Sequence, residues 1–313
     1  MKETQTEEST SLFEASRRRL LSISYRMLGS LSEAEDVVQE TWLRWHETDH
    51  RKLKTPVAWL TTVTTRIAID RLRYMQRQRA MEPVDWLPDP WLNSHAPSAE
   101  DAVSMLSDLS YGVLLLLERL SADERAALLL HEVFDCQYEE IAATLNKTPV
   151  HCRQLVRRAK ERVQSDRARR IADEQICERL VQDFLHAIAH QDKPAMLRLL
   201  TPKAMVIGDG GVSGIGSHGR SSTPVASLAV TQSADEFVNG LASMGAFDVQ
   251  IKPACINGGW GATIALQGRV VLALSFAIEV DGISTIYAVA DQRKLKGLQL
   301  TGEIRMRADV STQ

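Results

Sequence analysis

The chain has 313 residues, 44% of them hydrophobic and 25% charged, with a formal net charge of −3. This suits a soluble protein of two or three domains with adequate cores, its charge asymmetry local rather than global. No run approaches the roughly 18 apolar residues of a membrane span, and Met1 to Thr10 is polar and acidic with no signal-peptide core, so a cytoplasmic protein is expected. The four cysteines, Cys136, Cys152, Cys177 and Cys255, show no paired metal spacing and read as reduced structural thiols; no metal and no cofactor is expected.

Residues 10–80 read as a helical, arginine-rich domain with turns at Gly29-Ser30 and from Asp49 to Pro56. Ser32 and Glu35 have the spacing of a capping box. In the helix they would open, Val38, Thr41, Trp42 and Trp45 form an apolar stripe. Glu33, Asp36, Glu40 and Glu47 recur at three, four and seven residues, which stacks them on one outward side. Taken alone, such a stripe is more often a solvated face than a docking face. The next helix starts at Thr55-Pro56 and places Trp59, Leu60, Val63 and Ile67 on a core side. Its Arg66, Arg71, Arg73, Arg77 and Arg79 face only Asp70, and Lys52 and Lys54 lie in the preceding loop. A basic surface beside an aromatic suits unstacked DNA, although Trp59 by itself is more often a core residue.

Residues 81–100 form a linker without Lys or Arg, carrying Pro83, Pro88, Pro90 and Pro97 and the cluster Trp86-Leu87-Pro88-Asp89-Pro90-Trp91. Residues 101–170 return to helix, with runs from Val103 to Leu120 and from Asp123 to Phe134, the second opened by a Ser121–Glu124 capping box. Tyr138 to Leu145, a turn at Asn146 and a helix start at Thr148-Pro149 then make a helix-turn-helix. In its second helix, Cys152, Leu155, Val156, Ala159 and Val163 recur at helical spacing, leaving His151, Arg153, Gln154, Arg157 and Arg158 outward, as on a recognition helix. Lys147 to Arg170 holds nine Lys and Arg against Glu161 and Asp166, an excess suited to phosphate. For this segment alone, a solvated basic helix is an equal alternative.

From 173 to 305 the pattern changes to a separate α+β domain. Helices at about 173–190 and 193–200 precede a Gly- and Ser-rich stretch and a helix from Ser233 to Met244. Strands Phe247 to Ile256, Trp260 to Leu266, Arg269 to Val280 and Ile283 to Asp291 follow, with Gly258, Gly259, Gly268 and Asp281-Gly282 at the turns.

Leu12 to Leu28, Glu35-Asp36-Val37-Val38-Gln39-Glu40-Thr41-Trp42, Ala58-Trp59-Leu60 and Ile67 to Arg73 together resemble the second conserved region of extracytoplasmic-function (ECF) sigma factors. Ser121 to Val163 resembles their fourth region. The resemblance covers about half of the chain. It implies that Asp36, Gln39, Glu40 and Trp42 dock onto core RNA polymerase. It further implies that Lys52, Lys54, Trp59, Arg66, Arg71 and Arg73 hold melted promoter DNA, and that His151, Arg153, Gln154, Arg157 and Arg158 enter the major groove farther upstream. Which of these read bases and which grip phosphate stays open on spacing alone.

The tail is similar to the cone-shaped domain shared by nuclear transport factor, ketosteroid isomerase and SnoaL-like cyclases. The expected fold is thus two all-α sigma domains followed by an α+β SnoaL-like domain. Sigma factors with such a tail form a subgroup, which Trp86-Leu87-Pro88-Asp89-Pro90 and Asp209-Gly210-Gly211 resemble. Val212-Ser213 departs from the Gly and Lys that usually follow. The resemblance implies a regulatory contact between tail and linker, acting in cis where other members use a separate anti-sigma factor. A small molecule in the cone's cavity could bias it.

Two other readings stand beside this one. In the first, the chain is a one-component ligand-responsive helix-turn-helix regulator, which leaves the Asp36 to Trp42 segment unexplained. In the second, the tail is a cyclase or isomerase using an Asp or His base; His186, His190, Asp209, His218, Asp281 and Asp291 are available, but no spacing singles out a pair. No catalysis is expected.

Overall fold

A computed structural model describes residues 2–81, 87–92, 111–164, 174–209, 232–243 and 249–299. The chain divides into two compact units, Met1–Val84 with Gly112–Arg169, and Asp85–Tyr111 with Arg170–Gln313. Both helical blocks thus cluster in one unit, and the linker groups with the tail.

In the first unit, α1 (Lys2–Leu28), α2 (Leu31–Glu47) and α3 (Pro56–Met81) pack around Phe13, Leu20, Val38, Trp45 and Leu60. Gly29 ends α1 in a left-handed conformation, φ 67°, its amide bonding Tyr25 O at 2.7 Å. Only Ser30 separates it from α2, so Ser30 is the N-cap and makes no side-chain cap bond. The expected Ser32–Glu35 capping box does not form, because Ser32 already lies inside the helix.

The second block holds α4 (Tyr111–Glu118), α5 (Ala122–Glu132), α6 (Tyr138–Leu145) and α7 (Pro149–Gln164). The expected start of α4, residues 103–110, lies outside the described residues. Ser121 and Glu124 form the reciprocal capping box read from the sequence. Asn146 stops α6 at φ 54° and Thr148 caps α7, its hydroxyl accepting from His151 N at 3.2 Å.

The blocks meet through arginines. Arg125 is fully buried, donating from Nε to Arg26 O at 3.0 Å and from Nη1 to Glu118 at 2.5 Å. Arg19 donates to Phe134 O at 3.2 Å and lies 5.2 Å from the ring centroid, with Arg26 at 5.8 Å.

The second unit contains α8 (Glu174–Ala189), α9 (Lys193–Arg198), β1 (Leu200–Gly208), β2 (Gln232–Ser233), α10 (Ala234–Ser243), β3 (Val249–Ile256), β4 (Gly259–Leu266), β5 (Arg269–Glu279), β6 (Gly282–Val289) and α11 (Gln292–Gln299). The sheet order is β2-β1-β6-β5-β4-β3, antiparallel except for the parallel β1/β6 pair. Asn257-Gly258 and Gln267-Gly268 take positive φ at both positions, as tight hairpins require. At Gly282, φ 135°, a Cβ would stand 2.7 Å from Leu199 O, so the β5–β6 turn needs glycine there.

One sheet face, including Ala262, Ile264, Leu272, Leu274, Phe276, Ile286 and Ala288, packs on Phe184, Ile188, Phe237 and Leu241. Phe184 and Phe276 meet edge to face at 5.6 Å. This is the helices-on-a-curved-sheet arrangement of a SnoaL-like domain; α11 is an addition to the elements read from the sequence.

Candidate polymerase and nucleic-acid interface

On α2, Asp36, Gln39 and Glu40 are exposed, whereas Trp42 is half-buried, edge-on to Phe13 at 4.8 Å. The carboxylate row is partly neutralised from within: Arg71 of α3 pairs with Glu33 and lies 3.5 Å from Asp36, and Arg44 pairs with Glu40 at 2.5 Å. A cleft of about 350 Å³ runs between α2 and α3, with Asp36, Glu40, Arg71 and Tyr74 in its lining. Leu43 is 57% exposed on the acidic row, three residues after Glu40. Sequence reading passed over it, although its offset from Asp36 and Glu40 was a readable signal.

The residues expected at melted DNA do not share one free face. Arg66 caps the C-terminal end of α6, donating from Nε to Thr144 O at 2.8 Å and from Nη2 to Ala143 O at 2.7 Å. Seven residues on, along the same row, Arg73 pairs with Asp123 of α5 at 2.7 Å. Arg71 is turned toward α2, and Trp59 leans on Trp45 with ring centroids 5.6 Å apart. Lys52 and Lys54 are exposed.

On α7, Cys152, Leu155, Val156, Ala159 and Val163 are buried, and His151, Arg153, Gln154, Arg157 and Arg158 are exposed. Burial raises the Cys152 thiol above its ordinary value, opposed by Lys147. Burial does the same for Cys136, outweighing Arg19, so neither thiol is poised as a thiolate. The outward side chains have different settings. Arg153 lies over the Tyr138 ring at 5.1 Å and 3.9 Å from Glu139, while Tyr138 is tilted against His131 with ring centroids 4.3 Å apart. Arg157 pairs with Glu161 at 2.8 Å.

In the second unit, the linker is held by side chains of the tail. Asn257 Oδ1 accepts from Trp91 N at 2.6 Å, its own amide donates to Trp91 O at 2.8 Å, and its Nδ2 donates to Asp89 O at 3.4 Å. Leu92 bridges Ile256, and Leu87, Pro88, Pro90 and Leu92 are buried. Asp209, fully buried, accepts from the amides of Ala290 at 3.1 Å and Asp291 at 3.2 Å, and its carboxylate lies 3.5 Å from Lys294, which donates to Leu87 O. Trp86, Gly210 and Gly211 lie outside the described residues. Asn257 and Lys294 were missed by sequence reading; the Asn-Gly pair and the Asp-x-x-Lys spacing at 291–294 each read as ordinary turn and helix chemistry.

The candidate bases of the tail are mostly engaged or exposed. Asp209 is taken up as above, and His186 and His190 stack at 4.0 Å beside an open cleft of about 410 Å³ between α8 and α9. Asp281 is in an exposed turn, and His218 lies outside the described residues. Burial would raise the Asp291 carboxyl, but hydrogen bonds from the Arg293 side chain and amide and the charges of Arg293 and Lys294 outweigh it, leaving the group below its ordinary value.

The sequence matches the family models for Sigma-70 region 2 over residues 12–78 and Sigma-70 region 4 over residues 112–163. The class is therefore that of sigma factors. The chain is 33% identical over 302 residues to the ECF RNA polymerase sigma factor SigJ of Mycobacterium tuberculosis, covering 92% of this chain and 93% of that one. It is 29% identical over 191 residues to the probable ECF RNA polymerase sigma factor SigI of the same organism, covering 60% of this chain and 65% of that one. The crystal structure of M. tuberculosis SigJ superposes with a TM-score of 0.66 at 28% identity, covering 92% of this chain and 98% of that chain. The chain belongs to the ECF RNA polymerase sigma factors. The one-component regulator and cyclase readings are not favoured. Among the described residues, no helix is long and apolar enough to cross a membrane.

Proposed function

We propose that the chain is a sigma subunit that docks on core RNA polymerase through the exposed α2 row of Asp36, Gln39 and Glu40, extended by Leu43. It reads the upstream promoter element with α7 and holds melted DNA with Lys52, Lys54 and the arginines of α3. The observation that carries this reading is the pairing, within one compact unit, of an exposed carboxylate row on α2 with an arginine-rich recognition helix whose opposite side is buried.

In the free chain Arg66 and Arg73 are occupied by α6 and α5, so this packing is a resting form that DNA engagement must open. The tail acts in cis by holding residues 87–92, a task carried by Asn257 and Lys294, and takes the place of a separate anti-sigma factor. The residues 10–80, 101–170 and 173–305 are its region 2, region 4 and tail domains, with 81–100 as the tethered linker. No covalent chemistry is assigned to the tail.

The test is transcription by purified bacterial core polymerase on promoters selected from a random library, with the full chain and its Asn257→Ala/Lys294→Met form. Specific initiation by the full chain, altered in rate or promoter choice by the double substitution, is the expected result. Failure to bind core and to initiate overturns the sigma assignment; initiation identical in both forms overturns control by the tail.

A further inference from the structure

The most exposed large apolar side chain among the described residues is Val150, at 60%, and it stands in the first turn of α7. Helix periodicity places it on one row with Gln154, Arg157 and Glu161, at intervals of four, seven and eleven residues. The buried positions Cys152, Leu155, Val156, Ala159 and Val163 define the opposite side. Val150 therefore points away from the core at the end of the helix that a helix-turn-helix inserts deepest, where the first residues of the recognition helix reach base edges.

The surroundings distinguish it from an ordinary exposed valine. Its neighbours on α7 are His151, Arg153, Gln154, Arg157 and Arg158, all exposed, so the row is framed by cations that draw it to a phosphate-lined groove. Arg153 is held to one side, toward α6, by Tyr138 and Glu139, and Arg157 is paired with Glu161. The Thr148 cap fixes the first turn. What remains outermost at the tip is an apolar isopropyl group with an amide side chain one turn behind. In the major groove the apolar feature is the C5-methyl group of thymine, and Gln pairs bidentately with adenine.

We propose that Val150 is a specificity-determining residue that selects thymine in the upstream promoter element by contact with its C5-methyl group, with Gln154 reading an adjacent adenine. Arg153 then grips phosphate from the flank. The proposal rests on the reading of α7 as the groove-entering helix.

The experiment uses the full chain with core polymerase and a promoter selected by the wild type, in which each thymine of the upstream element is replaced singly by deoxyuridine, which lacks only the methyl group. Wild type is expected to bind about fourfold more weakly at one or two of these positions, the worth of one buried methyl group. Val150→Ala abolishes the thymine–uracil difference at those positions alone, and Val150→Thr, which keeps one methyl group, retains part of it. Wild type indifferent to every uracil, or Val150→Ala keeping the wild-type pattern, overturns the proposal. In either case, if Gln154→Ala and Arg158→Ala still change the selected element, only the valine assignment falls; if they do not, the assignment of α7 falls with it.

Discussion

The Lys294 ammonium lies 2.7 Å from the carbonyl oxygen of Leu87, joining α11 of the tail to the linker read as a proline-rich spacer. The same ammonium is 3.5 Å from the buried Asp209 carboxylate, so one side chain neutralises a core charge and grips a distant segment. Lys294→Met should cost about 2 kcal/mol in the stability of the second unit, since the buried Asp209 carboxylate loses the ammonium 3.5 Å away. Thermal melts would show the loss. Hydrogen exchange at the Trp91 amide, measured alongside, should accelerate.

Arg125 is the buried fastener between the helical blocks. Replacing it with Met removes the Arg125–Glu118 ion pair and the bond to Arg26 O, and should cost roughly 3–5 kcal/mol. Chemical denaturation of the full chain would register this in the transition of the first unit.

Arg66 serves the carbonyls that α6 cannot satisfy itself. Arg66→Ala should lower protection of the α6 amides about fivefold in hydrogen exchange, equivalent to about 1 kcal/mol, while α1 and α2 stay protected. Uniform loss of protection would argue against a local cap.

Tyr138 holds Arg153 by its ring face, not by its hydroxyl. Tyr138→Phe should leave promoter affinity unchanged, and Tyr138→Leu should weaken it two- to fivefold, the range for a partly exposed cation–π contact. Binding measured at one fixed salt concentration distinguishes the two.

Asp291 supplies a pH signature. Its carboxyl is held below the ordinary value of 3.8, so its contribution to stability is complete above that value and is lost as pH falls through the lower folded value. The stability gap between wild type and Asp291→Asn should be constant from neutral pH to about pH 5 and shrink below 3.8, followed by thermal melts.

Much of the architecture was legible because the local signals are clean: the α7 core row recurs at helical spacing, and the Gly-containing turns separate β3 to β6 where the sequence puts them. The Ser121–Glu124 box was legible as well, being a local exchange between residues three apart. The Ser32–Glu35 signature failed because its outcome depends on where Gly29 releases the preceding helix. The partners of Arg66, Arg71 and Arg73 were out of reach for a different reason. Each is a long side chain whose destination is set by packing between elements 38 to 78 residues apart in sequence, and composition sees only a basic face.

The grip on residues 87–92 also fixes a leash length. Residues 82–86 join Met81 at the end of α3 to the pinned Leu87, and even fully drawn out they reach roughly 20 Å. The full stretch from Met81 to Tyr111 has a contour length of about 100 Å. A few hydrogen bonds to main-chain atoms thus divide one long connection into a short segment before Leu87 and a longer one after Leu92.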